Sequence, residues 1–437
     1  MLISSIVKLM KSIKELIEKS IDLRPAELPA LVISFAYFFS LLCAYYIIRP
    51  LRDEMGILGG IKNLPWVFTG TFIVILAMVP LYGWVSSRYP RRQFLPIVYT
   101  FFIVNLLIFH SLFYFQVSPA HVAQSFFIWV SVFNLFVVSV FWSFMNDIYD
   151  KEQAKRLFGA IAAGGTVGAI CGPLLTTVLA QPLGTHNMLV VSALLLLIPI
   201  ACIKKLNHWF KQQPQAKSDN SYQQPMGGHW LAGFSLVTRS PYLLGIALLI
   251  LIFSTLSTFL YFQQAQIIQD SFSNSAQRTS IFAMMDLAVN GLTILIQVFL
   301  TGRIVKSLGL AWTLALIPLL LIVGFILLSI SPVISVLILV QVLRRAGNYA
   351  IMRPAREMLY VVLGREEKYK AKNFIDTVVY RGGDAVSAWV YDGMRSFGLS
   401  LGQIAFVAAP IAALWAYIAY QLGEKREQLA SKGKHYE

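Results

Sequence analysis

Charge is scarce in this chain. Only 13% of its 437 residues are Asp, Glu, Lys or Arg, while 57% are hydrophobic. A soluble domain carries about 25% charged residues, so this composition cannot cover a surface that faces water on all sides, and a soluble globular protein is excluded. Cysteine is scarcer still. Cys43, Cys171 and Cys202 are the only three, all inside apolar runs, with neither metal-ligand spacing nor a disulfide framework, so they read as packing residues. No Gly-x-x-x-x-Gly-Lys-Ser/Thr occurs, which excludes a phosphate-loop ATPase module. A membrane-embedded enzyme would need His, Asp, Glu or Cys converging within the apolar segments, and no such set is visible. The reading is non-enzymatic, with no cofactor and no metal. Acidic residues are outnumbered 36 to 21 by Lys and Arg, for a net charge of +15. In a soluble chain that excess would suggest nucleic acid; here the placement of the charges decides.

A crossing needs about 20 mostly apolar residues to traverse about 30 Å of hydrocarbon. Runs of that kind predict twelve helices, near 28–52, 65–87, 94–116, 121–147, 157–180, 187–203, 241–268, 278–301, 310–330, 333–361, 373–395 and 400–421. The expected fold class is therefore an all-α membrane protein of twelve transmembrane helices in two six-helix bundles. The first residues do not read as a secretory leader. Lys8, Lys11, Lys14 and Lys19 interleave with Ile6, Leu9, Ile13 and Leu16, which predicts an amphipathic surface helix over residues 1–26. The expected organisation continues with bundles at 27–203 and 241–421, joined by a polar linker at 204–240 and followed by a basic tail at 422–437.

Twelve crossings leave both termini on one side. Twenty-six of the 36 basic residues fall there, against three, Lys62, Arg278 and Arg395, in the opposite loops. The positive-inside rule then places both termini in the cytoplasm. This asymmetry accounts for most of the positive charge without nucleic acid. An offset of about 217 residues lays Ala154-Lys155 on Ala371-Lys372 and Gly165 on Gly382, a weak internal duplication.

The seven remaining basic residues are Arg49, Arg52, Arg344, Arg345, Arg353, Arg356 and Arg381, all within or at the ends of predicted spans. An arginine near the bilayer centre costs about 2.5–3.5 kcal/mol even on translocon-based scales, and is tolerated beside water, a carboxylate or a bound anion. On an ideal helix Arg345 and Arg356 lie about 20° apart, with Tyr349 and Arg353 on the same side, while Arg344 points about 100° away and reads as a structural brace. Arg49-Pro50-Leu51-Arg52-Asp53 in helix one and Arg353-Pro354-Ala355-Arg356-Glu357 in helix ten share one pattern, Arg-Pro-x-Arg-acid. They read as cationic gates at opposite mouths of a central cavity, with the acid four residues on pairing with the first arginine. Candidate substrate-binding residues are thus Arg49, Arg52, Arg345, Tyr349, Arg353 and Arg356. Candidate coupling or gating residues are Asp53, Asp147, Asp286, Glu357, Arg381 and Asp384. Asp286 is either a proton-titrating carboxylate or the partner of a helix-ten arginine, and Arg381 is expected to pair locally with Asp384 or Asp376.

Gly83 to Arg92, ending Ser87-Arg88-Tyr89-Pro90-Arg91-Arg92, resembles the cytoplasmic loop motif Gly-x-x-x-Asp-Arg-x-x-Arg-Arg of the major facilitator superfamily, with Ser87 in place of the aspartate. Gly159, Gly168 and Gly172-Pro173 are similar to the glycine-proline pattern of its antiporter members. A closer resemblance lies between Arg353 and Asp384. Glu357-Met358, Tyr360, Leu363, Glu367, Lys370, Lys372 and Ile375-Asp376 match the pattern of the bacterial and plastid ATP/ADP translocases. Phe141-Trp142, Phe144, Asn146 and Ala154-Lys155-Arg156 are similar to that family's helix-four end, and Arg49-Pro50 before Arg52-Asp53 to its Arg-Pro-x-Lys-Asp. Arg52 and Arg356 stand where the family carries lysines, and helix four has no acid before Asp147.

The resemblance implies the major facilitator fold and alternating access at a site lined by helices one, four, seven and ten. It also implies an inner-membrane location and a monomeric carrier, in contact with membrane lipids, of a small anionic solute, phosphorylated or nucleotide-like. The alternatives left open are a proton-coupled exporter of amphipathic compounds and a non-transporting membrane sensor.

Overall fold

The computed structural model describes residues 24–88, 91–212 and 230–433. Most of the amphipathic segment expected at 1–26, residues 213–229 of the linker, Tyr89 and Pro90 of the loop motif and the last four residues of the tail lie outside them.

Among the described residues the chain is helical, with no strand. Apolar runs end at turn-forming residues, and the membrane helices follow in order. They are α1 (Leu28–Leu58), α2 (Leu64–Arg88), α3 (Arg91–Tyr114), α4 (Pro119–Ile148), α5 (Lys151–Leu183), α6 (Met188–Leu195 and Leu197–Lys211), α7 (Pro241–Ser271), α8 (Ser275–Phe299) and α9 (Thr301–Ile330). Next comes α10, formed by Ile334–Gly347, a π-helical turn Asn348–Met352 and Arg353–Leu359. α11 comprises Arg365–Phe374, a second π turn Ile375–Val379 and Tyr380–Ser396, and α12 is Leu401–Gly433. Eleven of these are long and apolar enough to cross a membrane. α11 is helical over its whole length, but the charges from Arg365 to Lys372 and at Asp376, Arg381 and Asp384 lower its hydropathy. Trp230–Arg239 forms a short helix within the linker.

The ends of the helices follow local chemistry. Asp150 accepts from the Gln153 amide at 2.8 Å while the Gln153 side chain accepts from the Asp150 amide at 3.1 Å, a reciprocal cap that starts α5. Asn274 caps α8 by accepting from the Ala276 amide at 2.8 Å. Gly309, at φ +73°, breaks α9 after its first two turns, a conformation closed to most side chains. α6 and α12 run past the predicted ends, to Lys211 and Gly433. Lysines mark the edge of the hydrocarbon but do not interrupt backbone hydrogen bonding.

By packing, the described residues divide into two compact units. One contains residues 24–51, 81–117 and 130–212; the other contains 52–80, 118–129 and 230–433. The division cuts α1, α2 and α4, so their ends distant from the termini group with α7 to α12.

In the first unit α5 lies against α1 through glycines. A Cβ at Gly164 would sit 2.6 Å from the Phe35 carbonyl oxygen, at Gly168 2.3 Å from that of Phe39, and at Gly172 2.7 Å from that of Cys43. Only residues without side chains permit such backbone approach. Gly159, by contrast, faces open space. The Tyr37 and Tyr99 hydroxyls hydrogen-bond at 2.7 Å, and the Phe38 and Phe141 rings stack at 4.2 Å.

At the start of α1 the buried Glu27 carboxylate accepts two bonds from Arg156, at 2.9 and 3.1 Å, and one from Gln153 at 3.1 Å. Burial raises this carboxyl. Hydrogen bonds from Arg156, the Arg24 amide and Gln153, with the charge of Arg156, more than offset that and hold it below the ordinary glutamate value. A depressed folded pKa stabilises the protein above the unfolded glutamate pKa, and that stabilisation is lost as pH falls through the lower folded value. Thermal melts in detergent from pH 7 to pH 3 are therefore expected to show a destabilisation on acidification that is smaller in Glu27→Gln. Parallel curves for the two proteins would contradict this.

Candidate functional site

Among the described residues of the second unit, four groups of charged side chains each include partners from different helices. The first sits at the end of α1. Arg52 donates to Asp53 Oδ1 at 2.7 and 3.2 Å, and its guanidinium lies 4.9 Å from the centre of the Phe127 ring. The Tyr261 hydroxyl of α7 donates to the same Asp53 oxygen at 3.4 Å. The next residue, Glu54, has a fully buried side chain and accepts from Arg278 at the head of α8 through both oxygens, at 2.7 and 2.8 Å. Arg278 Nη1 also donates to the Phe272 and Ser273 carbonyls, at 2.9 and 3.0 Å. This bidentate pair, supplemented by carbonyl acceptors, is the geometry in which two buried charges are tolerated. Around it the rings of Phe68, Phe127, Tyr261 and Phe262 pack together. Trp66 of α2 meets Trp389 of α11 edge-on at 4.8 Å, and Trp389 Nε1 donates to Thr69 at 3.0 Å.

The second group lies along α7, α8 and α10. Arg345 is ion-paired with Asp286 of α8; their side chains are 11% and 1% exposed. Arg344 donates to Ser257 at 2.8 Å and to Gln341 Oε1 at 2.8 Å, and Gln341 in turn donates to Gln264 at 2.7 Å. Ser257, Tyr261 and Gln264 recur at helical spacing on α7. Immediately after this pair of arginines α10 changes to a π turn that includes Tyr349, and the Ala350 carbonyl there accepts from Thr301 at 2.9 Å. π turns of this kind are frequent at functional sites because they re-aim the side chains that follow.

The third group is Asp384, which accepts from Ser254 at 2.6 Å, from Thr258 at 3.3 Å and from Arg381 at 3.4 Å. In the fourth, Arg356 faces Asp376 at 3.6 Å across α10 and α11, and Glu357 takes Lys372 at 2.5 Å. The Arg356 side chain is 13% exposed, and its buried Nε has no hydrogen-bond partner among the described residues. Arg353 is exposed.

Of the residues singled out from the sequence, the structure therefore joins Arg52 to Asp53, Arg345 to Asp286, Arg381 to Asp384, Glu357 to Lys372 and Arg356 to Asp376. Asp286 takes the second of its two expected roles, partner of a helix-ten arginine, and that arginine is Arg345 rather than the expected brace Arg344. The local pairing expected within the Arg-Pro-x-Arg-acid pattern is replaced in both helices: Asp53 takes Arg52 rather than Arg49, and Glu357 reaches Lys372 on α11 rather than Arg353. In the first unit Arg49 lies 5.5 Å from the Tyr46 ring centre, and Asp147 is half-buried at the end of α4. Sequence reading missed Glu54 and counted Arg278 as a loop cation. The available signal was an acid directly after Asp53, two residues past the predicted end of helix one, where the helix in fact continues to Leu58.

Comparison with known proteins agrees with this architecture. The chain is 21% identical to ADP,ATP carrier protein 2 of Chlamydia pneumoniae over 87% of its own length and 86% of the relative's. It is 22% identical to ADP,ATP carrier protein 1 of Chlamydia trachomatis serovar D over 63% of its length and 59% of that protein. In three dimensions it superposes on the crystal structure of the nucleoside transporter NupG with a TM-score of 0.62 and 14% identity, covering 93% of this chain and 99% of that one, a likeness of fold. The model of the Major Facilitator Superfamily matches residues 30–360. A chain matched over most of its length in this way belongs to the Major Facilitator Superfamily and is a membrane transporter of that type.

Proposed function

We propose that the protein is a secondary active transporter of an anionic, phosphorylated or nucleotide-like solute, working across the inner membrane by alternating access with both termini cytoplasmic. The observation that carries this reading is Arg356, inside a span: Arg52, Arg345, Arg356 and Arg381 each stand beside a carboxylate, yet Arg356 keeps a buried Nε with no hydrogen-bond partner among the described residues. Cations within hydrocarbon are costly and are retained where they serve a polar pathway. Guanidinium groups suit phosphate and carboxylate oxygens through paired parallel hydrogen bonds. The buried Nε of Arg356 offers a donor to an incoming anion. Similarity to the ADP,ATP carriers supports a nucleotide-like cargo. Without an ATP-hydrolysing motif, the driving force is a gradient of counter-substrate or protons.

The test is uptake into proteoliposomes of labelled ADP, ATP, inorganic phosphate, citrate and adenosine, with and without ADP preloaded inside or a pH gradient imposed. Saturable uptake of phosphorylated compounds and little of adenosine is expected. Transport confined to uncharged or cationic compounds would overturn the reading.

A further inference from the structure

We propose that Asp286 is an internal stand-in for the cargo: it occupies the place of the transported anion at Arg345 while the carrier is empty, and an arriving anion displaces it. This rests on the anion-transport reading above and adds to it the residue that competes with cargo.

Two arginines adjacent in sequence are held in different ways. Arg344 receives oxygens from Ser257 and Gln341 on α7 and α10, within a chain of amides that extends to Gln264. Arg345 receives a carboxylate from another helix. A carboxylate presents the same acceptor oxygens to a guanidinium as a phosphate does, so it fills an anion's position and not merely space. The pair is nearly closed to solvent, with Asp286 1% exposed. An empty carrier that reorients through a poorly polarisable interior needs Arg345 neutralised, and Asp286 does this without cargo.

The surroundings also permit displacement. α10 leaves α-helical geometry at Asn348, three residues after Arg345, and the π turn is secured from outside by Thr301 on its Ala350 carbonyl. π turns within membrane helices are frequent at functional sites. A rigid ion pair serving only to tie α8 to α10 has no need of such a break beside it.

Competition has a quantitative consequence. If the site is free of Asp286 for about one tenth of the time, the apparent affinity for an anion is about tenfold weaker than the intrinsic one. Removing the competitor restores that factor, and it leaves the empty carrier with an unneutralised arginine.

The experiment measures ADP and pyrophosphate binding to the purified full-length protein, together with two transport modes in proteoliposomes: ADP/ADP exchange and net ADP uptake into empty vesicles. Asp286→Asn is expected to bind both anions about tenfold more tightly, to keep exchange and to lose most net uptake. Asp286→Glu, which restores the competitor, is expected to bind near wild-type affinity. Isotope-edited infrared difference spectra of the unaltered protein add a readout free of folding artefacts: ADP should shift an aspartate carboxylate band that Asp286→Asn lacks. Unchanged or weaker binding in Asp286→Asn, or the absence of that band shift, makes Asp286 a structural tie and overturns the proposal. No binding of either anion to the unaltered protein overturns the transport reading itself and this inference with it.

Discussion

Glu54→Gln is expected to unfasten the end of α1 from α7 and α8. Glu54 and Arg278 are fully buried and nearly so, and they share two short hydrogen bonds. Taking away the carboxylate charge leaves the guanidinium with the two carbonyls of Phe272 and Ser273 and no counter-charge. Breaking a buried pair from one side costs about 3–5 kcal/mol, a factor of roughly 10² to 5 × 10³ in an equilibrium. On the alternating-access reading proposed above, the protein can relieve that cost without unfolding, because this end of α1 then leaves its partners in the course of the cycle. The lost energy should therefore appear as a conformational shift. Trp66→Cys with Trp389→Cys places a reporter pair where the two rings meet at 4.8 Å. Crosslinking of that pair by a bismaleimide long enough to span the space the two rings vacate is expected to be fast with Glu54 present and at least tenfold slower with Glu54→Gln. The exchanged pair, Glu54→Arg with Arg278→Glu, should recover only part of the rate, since a carboxylate at 278 cannot donate to the Phe272 and Ser273 carbonyls. Crosslinking unaffected by Glu54→Gln would mean that the pair does not hold this side shut.

Gly168→Leu is expected to destroy the α1–α5 contact. The atoms that a Cβ would meet are backbone ones, the Phe39 oxygen at 2.3 Å and the Cys43 nitrogen at 2.9 Å. Such atoms cannot rotate away as a side chain can, so the helices must separate. Separation opens gaps at Gly164 and Gly172 on the same face. Overpacking usually costs about 1–3 kcal/mol, and a backbone clash lies at or beyond the top of that range. Gly159→Leu is the control, since nothing lies within 4 Å of that position. Thermal melts in detergent should show Gly168→Leu strongly destabilised or unfolded and Gly159→Leu close to wild type. Equal melting of the two variants would refute the close packing.

The order and number of the helices were legible because hydrocarbon thickness imposes long apolar runs, and these survive in α1 to α10 and α12. α11 was legible only as a weak run between charges. The local pair of Arg381 with Asp384 was legible, but the partners of charges distant in sequence were not. Glu54 and Arg278 are 224 residues apart in sequence, and no local pattern marks them as neighbours. The placement of Arg345 and Arg356 failed for a different reason. A π turn lies between them, and its extra residue opens their ideal separation of about 20° to about 80°. Arg345 therefore meets α8 and Arg356 meets α11. The glycines of α5 showed the opposite behaviour: their spacing was visible in the sequence, and Gly168 and Gly172, though not Gly159, proved to be a packing face.

The most direct test is equilibrium binding of labelled ADP and of labelled adenosine to the purified protein, at low and high salt, with Arg345→Gln alongside. Charge recognition by intramembrane arginines calls for saturable ADP binding that weakens with salt and falls at least tenfold in Arg345→Gln, with adenosine bound far less tightly. Adenosine bound as well as ADP, indifferent to salt and to Arg345→Gln, would contradict an anionic cargo.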